Sequence, residues 1–301
     1  MVGGANIDVK ARSAEAIMLH TSNPGTSQLT AGGVGRNIAE NLARLGTATT
    51  FVSAVGTDSL GDHLLTTTAD AGVDLRFVSR AGTTGTYTAL LDRDGELVAA
   101  VADMAACDAI TTEVVLEAKE AIAEASLLVL DGNLPAATIA DTAELAADLG
   151  VRVVVDPVSA PKAARLLPAL SPGRPVWMVT PDRSELGALS NQPVQSRDEV
   201  AAAVASLHGL GIEIVWARLG LEGSYLSGPF GRVWLDVVET QVVDVTGAGD
   251  AMVAAFCHFE LLGVDLREAA RLGHAAAALT VGSHHTVVPD LSDDLVRSLL
   301  A

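Results

Sequence analysis

Basic side chains are scarce in this chain: 19 Lys and Arg stand against 37 Asp and Glu, a formal net charge of −18. So acidic a surface excludes nucleic acid and anionic membrane as partners, because both are held through basic patches. An anionic nucleotide is not excluded, since a local cradle and a metal ion can offset the global field. Cysteine is nearly absent. Cys107 and Cys257 form no CxxC and no Cys/His metal pattern, and such usage points to a reducing, cytoplasmic setting. There is no signal peptide and no uncharged apolar stretch long enough to span a bilayer. Aromatics are only 3% although 49% of residues are hydrophobic, much of that share alanine. A core of that kind is built from helices packed closely on a sheet, and 301 residues can bury one without staples.

What is present has a clear rhythm. Apolar, β-branched runs bounded by turn residues recur at 49–55, 127–130, 151–155, 176–180 and 212–219. Their lack of alternation predicts strands buried on both faces. Helix-type segments lie between them at 36–45, 60–71, 112–125, 136–149 and 197–207. Alternation of this kind predicts an α/β fold with a mostly parallel sheet, helices on both faces, and ligands at the carboxyl ends of the strands. Two stretches break the rhythm. Residues 9–31 have little helical period, and 83–101 alternate around an Asp92-Arg93-Asp94-Gly95 turn. The economical reading is one domain over 1–301 with both stretches forming a small antiparallel lid over the site, able to exclude water. A plain edge extension of the sheet is the alternative.

The run Asp244-Val245-Thr246-Gly247-Ala248-Gly249-Asp250 is the most informative segment. A strand-like stretch, 240–245, stops at small residues, and an apolar helix follows. Unpaired backbone N–H groups of Gly247, Ala248 and Gly249 at a helix N-terminus attract phosphate. Asp250 is out of place beside phosphate unless it takes a proton from an attacking hydroxyl. Asp is also a common helix cap and Gly-Ala-Gly a common turn, so this run by itself leaves both readings open.

A second small-residue run, Gly32-Gly33-Val34-Gly35-Arg36-Asn37, leads into the 36–45 helix. Its glycines allow close approach of backbone to ligand, and Asn37 can offer a donor and an acceptor to hydroxyls. It is a poor dinucleotide fingerprint, because Asn37 stands where the third glycine belongs, and the chain has no Walker A sequence. Together, the two runs resemble the paired signatures of the ribokinase-like (phosphofructokinase-B type) carbohydrate kinases, 32–46 the first and 244–256 the second. Within that family the chain is most similar to the pseudouridine kinase branch. The resembling segments are 3–8, Ser22-Asn23-Pro24-Gly25, 53–58, Asp103-Met104, 155–159 and 289–292.

The resemblance implies a ribokinase-like fold and ATP-dependent phosphorylation of the 5′-hydroxyl of pseudouridine. Another ribonucleoside or ribose as acceptor is the first alternative. A non-catalytic nucleoside sensor is the second. It implies Asp250 as base with Gly247, Ala248 and Gly249 as anion hole, and Asp8 gripping ribose hydroxyls beside Asn6, Gly33 and Asn37. Ser22, Asn23, Thr86, Asp103 and Lys162 are placed near the nucleobase, with Asp103 the candidate acceptor for the N1–H that only the carbon-linked base carries. On the nucleotide side it implies Glu185 acting on Mg2+ through water, with Arg218, Gly220, Gly223 and His274 around ATP. Asp244 and Thr246 correspond to K+ ligands, completed by carbonyls of 282–288. A homodimer is also implied. Two departures stand out: Asp182 replaces an Asn, and Ala102 precedes Asp-Met where Asn is expected.

Overall fold

The computed structural model describes residues 1–170 and 176–300. Its strands are β1 (Asn6–Ser13), β2 (Gly25–Gly32), β3 (Thr50–Val55), β4 (Asp74–Arg80), β5 (Gly85–Leu91), β6 (Leu97–Asp103), β7 (Leu127–Asp131), β8 (Arg152–Asp156), β9 (Met178–Val179), β10 (Ile214–Arg218), β11 (Ser224–Gly228) and β12 (Gly231–Leu235). The central sheet runs β12-β11-β10-β9-β8-β7, parallel from β10 to β7 with β11 and β12 antiparallel at one edge. Val2 bridges Val52 and Leu130, which attaches the parallel β3–β4 pair beside β7.

The apolar runs become strands because both faces are covered. On β8, Val153 and Val155 join one buried cluster and Val154 joins the other. The first cluster packs under helices such as Ala136–Asp148 and Arg197–His208; the second holds Trp216, Phe256 and Phe259 against Ala248–Leu261 and Leu266–Val281. Phe256 is fully buried, so truncation to alanine would cost about 3–5 kcal/mol. No helix among the described residues is long and apolar enough to cross a membrane.

Residues 6–32 and 85–103 make a separate four-stranded sheet in the order β2-β1-β5-β6, with β1–β5 parallel and the outer pairs antiparallel. Its β5–β6 hairpin is closed by Asp92, whose Oδ1 accepts from the N–H groups of Asp94 and Glu96, both at 2.9 Å. Every residue of β6 is exposed.

Some expectations are corrected. The 112–125 helix is two short pieces, Thr112–Glu117 and Lys119–Ala123, broken at Ala118, which is itself buried beside Val115 and Ile122. The stretch 240–245 is not a strand. Val242 and Val245 are exposed and line a cavity instead of pairing. β4, the β11–β12 hairpin and the full Leu266–Val281 helix lie outside the periodic pattern read from sequence.

Candidate active site

The turn before the Ala248–Leu261 helix has the geometry of an anion cradle. Gly247 caps the helix with φ 83° and ψ −5°, a left-handed conformation that glycine adopts without steric penalty. A Cβ there would stand 2.2 Å from the Thr286 carbonyl oxygen, so the 282–288 loop abuts the turn. Asp250 falls in the first helical turn and is buried. Its Oδ2 accepts from Asn37 Nδ2 at 2.8 Å. The two small-residue runs thus meet at a single hydrogen bond. Burial, then the nearby Asp156 charge, pushes the Asp250 carboxyl up to about 8, against the pull of Asn37 and Arg218.

Arg218, at the end of β10, stands beside this cradle. Its Nη1 lies 2.6 Å from where a Gly249 Cβ would be. Nη2 reaches Asp156 Oδ2 at 3.0 Å and Glu185 Oε2 at 3.6 Å, while Nε is buried with no partner. Burial opposes its charge, but Asp156 and Glu185 hold the guanidinium pKa above its ordinary value. Glu185 is pushed up to about 7 by burial and by Asp156. Asp182 caps the helix Arg183–Ser190 in a reciprocal pair with Glu185: Glu185 N–H donates to Asp182 Oδ1 at 2.8 Å and Asp182 N–H to Glu185 Oε2 at 2.7 Å. The Asp182 carboxylate is therefore occupied as a cap. Val158, two residues past Asp156 and donating its N–H to Asp156 Oδ1 at 2.9 Å, has φ 69° although β-branched, backbone strain of the kind concentrated at working sites.

These groups open on a cavity of about 700 Å³. Asp156, Arg218, Gly249 and Asp250 line it together with apolar side chains including Val242, Val245 and Val281. Leu221 at its rim is 88% exposed and Val245 66%. A cavity with bare apolar surface beside a few charged groups suits a flat base joined to phosphates. Gly220 and Gly223 form the adjoining turn, with φ 61° and 82°. His274 lines the wall but is buried, with Nε2 2.7 Å from Ser224 Oγ and its ring edge-on to Trp216. Burial lowers it to about 4, so it is neutral.

Asp8 lies on β1, part of the small sheet. Its Oδ1 accepts from Asn6 Nδ2 at 2.7 Å, and burial pushes its pKa up. Gly33 precedes the Val34–Arg44 helix that carries Asn37. Thr86 and Asp103 face each other in the β5–β6 register. Asp103 is exposed, and its Oδ1 accepts from Ala105 N–H at 3.3 Å. Lys162 Nζ donates to Asn133 Oδ1. Ser22 and Asn23 sit in the 14–24 loop, where Asn23 uses both ends of its amide on the Met18 backbone; no described contact joins them to Asp8.

Two carboxylates were not anticipated as site residues. Asp131 and Asp156 are register partners at the carboxyl ends of β7 and β8. Asp131 is fully buried and accepts from the N–H groups of Gly4 at 2.9 Å, Gly35 at 2.8 Å and Asn133 at 2.9 Å, which ties the segment before β1, the first turn of the Val34–Arg44 helix and the turn after β7 to one carboxylate. Their position just past parallel strands was the available signal. Lys10 was also missed. Its Nζ donates to Asp244 Oδ2 at 2.8 Å and Thr246 Oγ1 at 3.3 Å.

The profile of the pfkB family carbohydrate kinases matches residues 1–293. The chain belongs to that family. It is therefore a phosphotransferase with an alcohol acceptor, of the sugar and nucleoside kinase type, on an α/β ribokinase-like fold. It is 37% identical to the pseudouridine kinase of Escherichia coli K12, over all of this chain and 95% of that one. It is 29% identical to a ribokinase of Arabidopsis thaliana, over 93% of this chain and 75% of that one. A structure of Arabidopsis thaliana ribokinase complexed with ribose and ATP superposes with TM-score 0.88 at 28% identity, covering 99% of this chain and 97% of that one.

Proposed function

We propose that this kinase transfers the γ-phosphoryl group of ATP to the 5′-hydroxyl of pseudouridine, giving pseudouridine 5′-phosphate. The 37% identity to a pseudouridine kinase across the whole chain carries the choice of acceptor. The site geometry is consistent with the chemistry. ATP supplies the phosphoryl group when bound, its base against the apolar cavity wall and its phosphates toward Gly247–Gly249. Asp250, oriented by Asn37, takes the proton of the 5′-hydroxyl as that oxygen bonds to the γ-phosphorus. The backbone N–H groups of Gly247 and Gly249 donate to the phosphoryl oxygens while the bond to the bridging oxygen breaks, Ala248 N–H joining them on release of its 3.3 Å bond to the Val245 carbonyl, and Arg218 flanks the same charge. Asp8, with Asn6, holds the ribose hydroxyls, and Thr86, Asp103 and Lys162 border the base.

Magnesium fits as an ion carried on the phosphates. Among the described residues no cluster of three acidic, His or Cys side chains converges to cage a metal. Asp156 and Glu185 share Arg218, so Glu185 would reach Mg2+ through water, as that ion's retained hydration shell favours. Potassium fits the Asp244–Thr246 turn poorly, because Lys10 already donates to its side-chain oxygens. A homodimer through the small sheet is also part of this reading. β6 is an exposed edge strand carrying Leu97, Val98 and Val101, surface that pairing with a second copy would cover; molar mass in solution checks it.

The deciding experiment is a panel of pseudouridine, uridine, cytidine, adenosine and ribose with ATP and Mg2+. Pseudouridine is expected to give the highest kcat/KM. Turnover of ribose but not pseudouridine overturns the acceptor and leaves a ribokinase, the reading that the Arabidopsis relative supports. Tight nucleoside binding without turnover of any acceptor would favour a sensor.

A further inference from the structure

We propose that the Lys10 ammonium group is this enzyme's built-in monovalent cation, standing at Asp244–Thr246 in place of a potassium ion and joining the small sheet to the anion cradle. Lys10 lies on β1 two residues after Asp8, so both project from the same face of that strand. It is the charge partner of residues more than two-thirds of the chain away: the Nζ–Asp244 Oδ2 distance is 2.8 Å and the Nζ–Thr246 Oγ1 distance 3.3 Å. The other carboxylate oxygen is also committed. Asp244 Oδ1 accepts from Thr246 N–H at 2.9 Å and from Thr246 Oγ1 at 2.6 Å. A potassium ion would need these oxygens and would be repelled by the ammonium already on them. Conversely, an ammonium is a compact cation with three donors, suited to the same carboxylate and hydroxyl oxygens.

The position has a consequence for catalysis. Asp244 and Thr246 lead directly into Gly247, whose backbone abuts the Thr286 carbonyl. A fixed positive charge on this turn adds to the N–H dipoles that face the phosphoryl group. Lys10 also acts electrostatically on Asp8. One ammonium thus ties the acceptor-gripping strand to the phosphoryl end.

The inference rests on the kinase reading for its rate effects, and its test includes a measurement that needs no substrate. Wild type and Lys10→Ala are compared in the chlorides of potassium, rubidium, caesium and tetramethylammonium at equal ionic strength, by melting temperature and by kcat on the best acceptor. Lys10 is half-exposed, with 32% of its side chain accessible, so the truncation leaves the core intact. Wild-type melting and rate are expected not to change between tetramethylammonium and potassium. Lys10→Ala in tetramethylammonium is expected to lose roughly 10-fold or more in kcat, toward the loss caused by removing one fixed donor at an anion hole. Potassium should restore most of that rate and raise the variant's melting temperature. Activation or stabilisation of wild type by potassium overturns the proposal. So does a Lys10→Ala variant whose melting temperature and rate ignore potassium. If no acceptor in the panel is turned over, the kinase reading fails while the melting comparison still decides the cation's identity.

Discussion

The two ends of this site are built differently. The phosphoryl end is assembled from buried, mutually fixed groups: Asp250 on Asn37, Arg218 across Asp156 and Glu185, and Gly247 against Thr286. The end proposed to meet the nucleobase is assembled from the small sheet and its loops. There Asp103 is exposed, and Asn23 is satisfied by its own loop. Under the proposed function, the contrast teaches that the phosphoryl-transfer groups are preorganised in the core, while recognition of the base would depend on how the exposed small sheet meets a bound nucleoside. A preorganised end carries large, sharply localised mutational effects; an end completed by its ligand carries smaller ones that show up in specificity.

The largest effect should come from Asp250→Asn. Removing the base is expected to lower kcat by roughly 10³-fold, with nucleotide affinity retained in a titration. The same variant tests the burial of the carboxyl. Because its folded pKa is raised to about 8 from 3.8, the folded state binds that proton more tightly than the unfolded chain. The stabilisation this gives is complete below pH about 4 and is lost as pH rises toward about 8. Asp250→Asn should therefore flatten this fall in stability, and melting curves at mildly acid and mildly alkaline pH read it directly.

Next comes Arg218→Lys, which keeps the charge between Asp156 and Glu185 but loses the flat fork beside Gly249. A fall in kcat of roughly 10²-fold is expected, as for one lost donor at an anion hole. An unchanged kcat would remove Arg218 from the chemistry. Arg218→Met should instead impair folding, because it leaves two buried carboxylates without their counter-charge.

At the recognition end, Asp103→Asn should reduce the preference for pseudouridine over uridine by roughly 10-fold. That is far less than a fully enclosed polar pocket achieves, because Asp103 is exposed until the ligand covers it. Equal ratios of kcat/KM for wild type and variant would mean that another group reads N1–H. The smallest effect is on pH. Wild-type kcat/KM should climb with pH through about 8 as Asp250 ionises. Asn37→Ser, which removes a hydrogen bond that favours the ionised form, should move that limb upward by a fraction of a pH unit. Movement downward would contradict the assigned base.

Much of this arrangement is legible in the chain. The run 244–250 carries its own chemistry because a turn, an αL glycine and a helix start are local events over a few residues. The parallel sheet is legible for the same reason: each doubly buried strand writes its own apolar run. The strand assigned to 240–245 failed because Val242 and Val245 look like strand residues yet serve as bare cavity wall. Apolarity alone does not say whether a protein neighbour or a ligand will cover a side chain. Asp131 and Asp156 escaped notice because a single carboxylate after a strand looks like any turn residue until the strands are set side by side.

By itself, the sequence determined the fold class and the kind of chemistry, since both follow from short-range patterns of burial and backbone geometry. The tertiary structure decided the charge state of the site. Asn37 and Asp250 are 213 positions apart, and Lys10 and Asp244 are 234. Electrostatic energies depend on distance and burial in space. Only folding could set the Asp250 carboxyl near neutral pH, place Arg218 beside the cradle and bring an ammonium to Asp244.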